Sequence, residues 1–259
     1  MQELLVADSF RVRMNPATGE AEVRGAGLHL ARFLSSAQAA ASEQPGGVLT
    51  REDTAAFLNE AISSVADYGE GWPRFELWLT DTGALRLSLQ LRPLPALGKT
   101  VQLVSVGTLA LQHPQRKGPN IARLATENRS VGGESVLTDG RGMVSEGATT
   151  SLVWWHDDSH GPARGGVSAC TERVPSVTEA LLARGPLSFA GEALHSESLA
   201  IEQLQNCEVW AVNALHGIRV AASLDSHPLR EPNLPRLLRF QAQLDDQWEP
   251  LREAQLQDW

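Results

Sequence analysis

Two short stretches decide how this chain is read: Arg116-Lys117-Gly118-Pro119-Asn120 and Asp139-Gly140-Arg141-Gly142-Met143-Val144-Ser145-Glu146-Gly147. Lys117 is one of only two lysines, the other being Lys99, beside twenty arginines. Arginine stays protonated at any working pH, whereas lysine can lose its proton and form an imine with a carbonyl. Glu146 follows a turn and abuts Gly147, so its carboxylate can approach a flat ligand closely. A carboxylate is the usual partner for the pyridinium nitrogen of a pyridoxal ring. Each residue also has an ordinary reading as surface charge, and the segments around them have to decide.

Two further segments point the same way. Ser176-Val177-Thr178 opens a helical pattern, where unpaired amides and a hydroxyl make a ready phosphate site. Arg32 lies on the exposed flank of the first expected helix and can supply countercharge to a phosphate. The plain alternatives are a helix cap for the first and a solvated edge residue for the second.

The flanking chain reads as mixed α and β. Leu4–Val12 is a strand candidate, turned at Asn15–Gly19 onto Ala21–Arg24. From Leu28 a helical apolar stripe runs to the breaker Gln44-Pro45-Gly46-Gly47, and Thr50–Ala66 is a second amphipathic helix opened by a capping-box pattern. Arg74–Leu79 and Leu85–Leu91 alternate around Asp81-Thr82-Gly83 as a hairpin, and Val101–Leu111 reads as a buried strand.

Further on, Ile121–Arg129 is a short helix, Ser135–Thr138 and Ser151–Trp155 are strands, and a loop covers Asp157–Pro162. A helix runs from Ser176 to Arg184. Strands at Pro186–Ala190 and Cys207–Val212 then flank a helix near Ser196–Leu204, followed by a strand at Ile218–Ala222 and a terminal helix over Asn233–Trp248. The expectation is an α+β chain of two lobes, residues 1–112 and 113–259, without the strict alternation of a doubly wound sheet.

Composition bounds the function. A net charge of −9 over 259 residues argues against a general nucleic-acid binder. The absence of an 18-residue apolar run argues against a membrane span. Met1-Gln2-Glu3 lacks the basic start of a secretory signal, and Cys170 and Cys207 are read as free thiols, so a cytoplasmic location is expected. The seven histidines are scattered along the chain, and no metal is expected.

Five segments in order resemble the fold-type IV pyridoxal-phosphate enzymes, the class IV aminotransferase and aminodeoxychorismate lyase group. His29-Leu30-Ala31-Arg32-Phe33 is similar to that family's H-x-x-R helix, and Lys117-Gly118-Pro119-Asn120 to its K-x-x-N segment. Asp139–Gly147 resembles D-x-x-G-x-V-x-E-G, Val174–Thr178 the L-x-G-[IV]-T position, and Asn213-Ala214-Leu215-His216-Gly217-Ile218 the N-[SA]-L-x-G-[IV] segment of the lyase branch. The resemblance implies pyridoxal 5'-phosphate (PLP) as cofactor, with Lys117 as catalytic imine former and Glu146 on the ring nitrogen. It implies Arg32, Val177, Thr178, Asn213 and Ala214 around the phosphate, a small-molecule amino substrate, and a homodimer. Departures are a shortened Lys117–Glu146 interval, Ser151 where asparagine is common, and Glu179 where arginine is usual.

The implied activity is a lyase releasing pyruvate to give 4-aminobenzoate. The alternatives are an aminotransferase acting on D-amino or branched-chain amino acids, and a non-catalytic relative that binds a ligand without turnover. Asn213-Ala214-Leu215, where branched-chain aminotransferases more often show G-T-A, favours the lyase. Arg92, at a strand end, and Arg219 are the candidates for a substrate carboxylate, since a planar fork suits it.

Overall fold

In the computed structural model, residues 2–156, 164–184 and 192–252 are described. The expected loop at Asp157–Pro162 and strand at Pro186–Ala190 lie outside them. Among the described residues the chain divides into two compact units: Met1–Ala96, Arg116–Pro119 and Gln247–Trp259 form one, and Leu97–Gln115 with Asn120–Asp246 the other.

The first unit is built on β1 (Glu3–Ser9), whose last five residues are all buried. The sequence reading ran this strand on to Val12 and folded it onto Ala21–Arg24. The structure instead breaks it at Phe10. That ring is buried against the Phe75 ring, centroids 5.2 Å apart. Val12 then exchanges backbone hydrogen bonds with Gly71 at 3.0 and 3.3 Å. The hairpin partner of β3 (Ala21–Arg24) is therefore a separate strand, β2 (Val12–Met14).

Helix α1 (Ala26–Ser42) buries Leu30, Phe33, Leu34, Ala37 and Ala41 at the three-to-four spacing of one face. Helix α2 (Arg51–Tyr68) carries the expected capping box, Thr50 and Asp53 each satisfying the other's backbone amide. Strands β4 (Arg74–Leu79) and β5 (Leu85–Gln90) form the expected hairpin, and β4 pairs antiparallel with β1. Phe10, Phe33, Phe57 and Phe75 interlock edge-on or tilted within the core that both helices cover. Burying one such ring contributes about 1.5–3 kcal/mol.

The second unit holds a mixed sheet. β6 (Thr100–Gly107) stops short of the expected Leu111 and pairs parallel with β7 (Glu134–Thr138), after the helix α3 (Ile121–Val131). β8 (Val144–Gly147) returns antiparallel. β9 (Ser151–Trp155) is buried at every residue, as its unbroken apolar run requires. β10 (Gly165–Ser168), which the sequence reading missed, lies beside β9. Two of its four residues are glycines, which weaken a strand interior. Here they are strand residues under tryptophan rings, where a Cβ on Gly165 would sit 2.7 Å from Trp155.

Helix α4 (Val177–Ala183) forms as expected, but the helix expected near Ser196–Leu204 does not. Its first two residues, Ser196 and Glu197, end β11 (Leu194–Glu197), parallel to β10, and a 3-10 helix covers Ile201–Asn206. Tertiary demand overrides helical propensity here, because the Glu197 carboxylate accepts from the Trp154 indole and is paired with His156 and Arg164.

β12 (Glu208–Asn213) and β13 (Gly217–Leu224) form a hairpin, and β13 pairs parallel with β6 and antiparallel with β14 (His227–Pro228). Helix α5 (Leu234–Asp245) sets Phe240 against Trp155 and Trp210, with centroids 5.1 and 5.4 Å away. The terminal helix was expected to reach Trp248. It ends at Asp245, and Trp248–Pro250 is a strand on β3 in the first unit, its indole facing the guanidinium groups of Arg13 and Arg24 at 4.4 and 4.3 Å.

Against the expected lobes 1–112 and 113–259, β6 therefore belongs to the second unit, because β13 and β7 are its neighbours. Arg116–Pro119 and the last strand belong to the first.

Candidate active site

In the first unit four consecutive residues of β1 organise the candidate side chains. The Ala7 amide donates to the Lys117 carbonyl at 2.7 Å. Gly118 lies flat on the same strand at φ 145°, and a Cβ there would stand 2.7 Å from the Val6 Cα. Only glycine allows that approach. Arg116 anchors the segment from its other side with a two-pronged bond to Glu43, at 2.9 and 2.6 Å. Lys117 is thus fixed by backbone, and its rarity among the basic residues gains a structural setting.

Asp8, next along β1, takes Arg32 in a fork: Nε donates to Oδ2 at 2.7 Å and Nη2 to Oδ1 at 2.8 Å. Arg32 was expected on an exposed flank. Its side chain is 13% exposed, because it turns inward to a carboxylate that the sequence reading did not single out. His29, one helical turn earlier, brings Nδ1 to within 2.8 Å of Asp8 Oδ1. A carboxylate only accepts, so Nδ1 carries the proton. Burial raises the Asp8 carboxyl, but Arg32 and His29 more than offset this and hold it well below the usual carboxylate range. Burial pushes the His29 imidazole down; Asp8 opposes this, while Arg32 and Lys117 add to it.

Ser9 completes the row. Its hydroxyl accepts from Arg92 Nη2 at 3.0 Å, while Arg92 Nε donates to the Trp72 carbonyl at 2.9 Å. Burial, with Arg74 nearby, lowers Arg92 to about 10. Lys117, Arg32 and Arg92 are therefore gathered along one strand.

In the second unit the remaining candidates gather around the end of β8. The turn before it is set by Asp139, whose Oδ1 accepts from the amides of Arg141 and Met143 at 2.8 and 3.0 Å. Glu146 is buried on β8. Its charge acts on Arg173, a residue missed from the sequence. Burial alone would lower that guanidinium, but Glu179 and Glu146 together hold it above its ordinary value. Arg173 grips Glu179 with both Nη atoms, at 2.9 and 2.7 Å. Glu179 lies in the first turn of α4, beside Val177 and Thr178. The departure at Glu179 thus has a local use. Ser176 Oγ accepts from the Glu179 amide, while the amides of Val177 and Thr178 occupy the first turn, where no intrahelical acceptor exists.

Asn213 shapes the turn between β12 and β13: its Oδ1 accepts from the amides of Leu215 and His216 at 3.2 and 2.8 Å, and Ala214 sits within that turn. Its Nδ2 donates to the Thr149 carbonyl at 3.3 Å, three residues beyond Glu146. Beneath lies Glu134, also missed from the sequence, which accepts from the Thr149 amide at 2.6 Å and the Thr150 hydroxyl at 3.0 Å. Arg219 is committed to the same carboxylate at 3.7 Å, and burial lowers its guanidinium. No spacing rule would have found Asp8, Arg173 or Glu134, since each pairs with residues distant in sequence or on another element.

No family model matches the sequence, and no curated protein matches it. Solved structures do. A Legionella pneumophila protein assigned as a 4-amino-4-deoxychorismate lyase superposes with a TM-score of 0.73 at 18% identity, covering 93% of this chain and 90% of that one. The branched-chain amino acid aminotransferase of Thermobaculum terrenum, solved in its PLP form, gives 0.74 at 13% identity over 95% and 89%. A Mycobacterium tuberculosis protein described as a hypothetical aminotransferase, solved with PLP bound, gives 0.69 at 18% identity over 95% and 88%. This chain has the fold of the fold-type IV PLP enzymes. At these identities the likeness defines that fold, and the expectation drawn from the five sequence segments agrees with it.

Proposed function

We propose that this chain is a PLP-dependent lyase of the 4-amino-4-deoxychorismate type, releasing pyruvate and leaving 4-aminobenzoate. The observation that carries the reading is the backbone fixing of Lys117 on β1, beside the Asp8–Arg32 pair. The donor types fit PLP: an amine for its aldehyde, a buried carboxylate at Glu146 for its ring nitrogen, and cationic and amide donors for its phosphate.

When bound, PLP supplies an electron-accepting ring that stabilises negative charge on the substrate carbon bearing the amino group. Lys117 Nζ would hold the aldehyde and, when free, would be the base for the proton on that carbon. Glu146 would keep the ring nitrogen protonated. Arg32, the Val177 and Thr178 amides, the Thr178 hydroxyl and the Asn213–Ala214 turn would be the groups for the phosphate. Arg92 and Arg219 are the candidates for the substrate carboxylate. A homodimer and a cytoplasmic setting belong to the same reading. Among the described residues no helix is long and apolar enough to cross a membrane.

The second reading is an aminotransferase, supported by the fold likeness to the branched-chain enzymes; there Lys117 would serve as proton donor as well as base. Asn213-Ala214-Leu215 supports the lyase. The purified protein is expected to carry a visible absorbance band that Lys117→Ala abolishes. Pyruvate release from 4-amino-4-deoxychorismate supports the lyase, and keto-acid formation from D-alanine or a branched-chain amino acid supports the aminotransferase. A protein that cannot be coloured by added PLP is a non-catalytic relative, and the reading fails.

A further inference from the structure

Asp8 takes no part in the chemistry just described, yet it is 1% exposed and ionised among apolar neighbours. A buried charge is costly, and an apolar residue of similar volume often serves stability as well or better. What the carboxylate does instead is geometric. Its two oxygens take Nε and Nη2 of Arg32 side by side, which fixes the plane of the guanidinium as a single contact would not. His29 Nδ1 binds the same Oδ1 at 2.8 Å and so holds the carboxylate itself in one orientation. The Ala7 amide, one residue back, holds the Lys117 carbonyl. The groups assigned to the aldehyde and the phosphate of one ligand are thus indexed to adjacent residues of one strand.

Resting on the reading of Arg32 as a phosphate partner, we propose that Asp8 is a positioning residue that acts through Arg32 to set the affinity for the phosphate of PLP. It touches neither the ring nor the substrate.

The test compares two probes, PLP and pyridoxal, which lacks the phosphate, in titrations of the cofactor-free protein followed by visible absorbance. The wild-type chain is expected to prefer PLP. Asp8→Asn is expected to weaken PLP roughly tenfold, the lower end of what loss of a supporting outer partner costs at bound groups, and to change pyridoxal affinity by less than about twofold. Arg32→Lys keeps the charge but cannot form the planar fork. It should lose the same preference, and adding Asp8→Asn to it should change nothing more. Equal weakening of both probes in Asp8→Asn marks a general structural lesion and overturns the proposal; an unchanged preference for PLP does so too. Where Asp8→Asn fails to fold, Arg32→Lys decides: full retention of the PLP preference overturns the proposal, and its loss supports it. Wild-type protein that binds neither probe overturns the functional reading, and this proposal with it.

Discussion

His29 is held neutral inside the first unit, and that has a sign that can be measured. Its folded value lies below the ordinary 6.5 because burial penalises the imidazolium, with Arg32 on α1 and Lys117 adding to the effect and Asp8 on β1 opposing it. The unfolded chain therefore binds a proton at His29 before the folded chain does, and stability rises with pH through that window. Denaturant unfolding should show stability falling as pH drops from 7 to 5, and His29→Asn should flatten that slope. An equal slope in both proteins would show that His29 does not titrate between the two states. His29 and Arg32 could be read from the sequence as one helix-face pair. Asp8 could not, since nothing in Ala7-Asp8-Ser9 distinguishes it from a strand-end aspartate; the structure supplies its meaning through residues 21 and 24 positions away.

At the scale of elements, the Lys117 segment depends on one missing side chain. Gly118→Ala would place a Cβ against the Val6 backbone in a conformation that L-residues rarely adopt. Strain of that kind costs about 1–3 kcal/mol. The variant should show a lowered melting temperature together with weakened PLP absorbance, because relief of the clash moves Lys117 off β1. A variant with the wild-type melting temperature and absorbance would show that the segment is not held there. Elements governed by local chemistry were legible in sequence: the α2 capping box, the β4–β5 hairpin and the strongly apolar β9. Those governed by distant partners were not. β10 and β11 are strands because tryptophans and Glu197 require it, and the last strand is split from α5 because Trp248 returns to β3.

At the scale of the whole molecule, the fold class followed from the order of five motifs, while the division into units did not. β6 reads as a continuation of the strands before it, and its partners β13 and β7 come later in the chain. The candidate residues could be named from the sequence as types in order, but the carboxylates that hold the arginines could not. Assembly belongs to this scale too. Met14 and Tyr68 are each about two-fifths exposed in the first unit, and Met14 lies against Gly69, the residue after Tyr68. Large apolar groups exposed together mark interaction surfaces. Sedimentation should give twice the 28.0 kDa chain mass, and a monomer at working enzyme concentrations would remove the homodimer from the reading.

The return of Trp248–Pro250 to β3 also orders events during synthesis. The β2–β3 hairpin of the first unit waits for its third strand until the residues of the second unit have been made. The Ala7 amide likewise waits for Lys117, more than a hundred residues downstream. A nascent chain leaving the ribosome therefore holds this unit incomplete while the residues of the second unit are produced, and Trp248–Pro250 closes a part that was begun more than two hundred residues earlier.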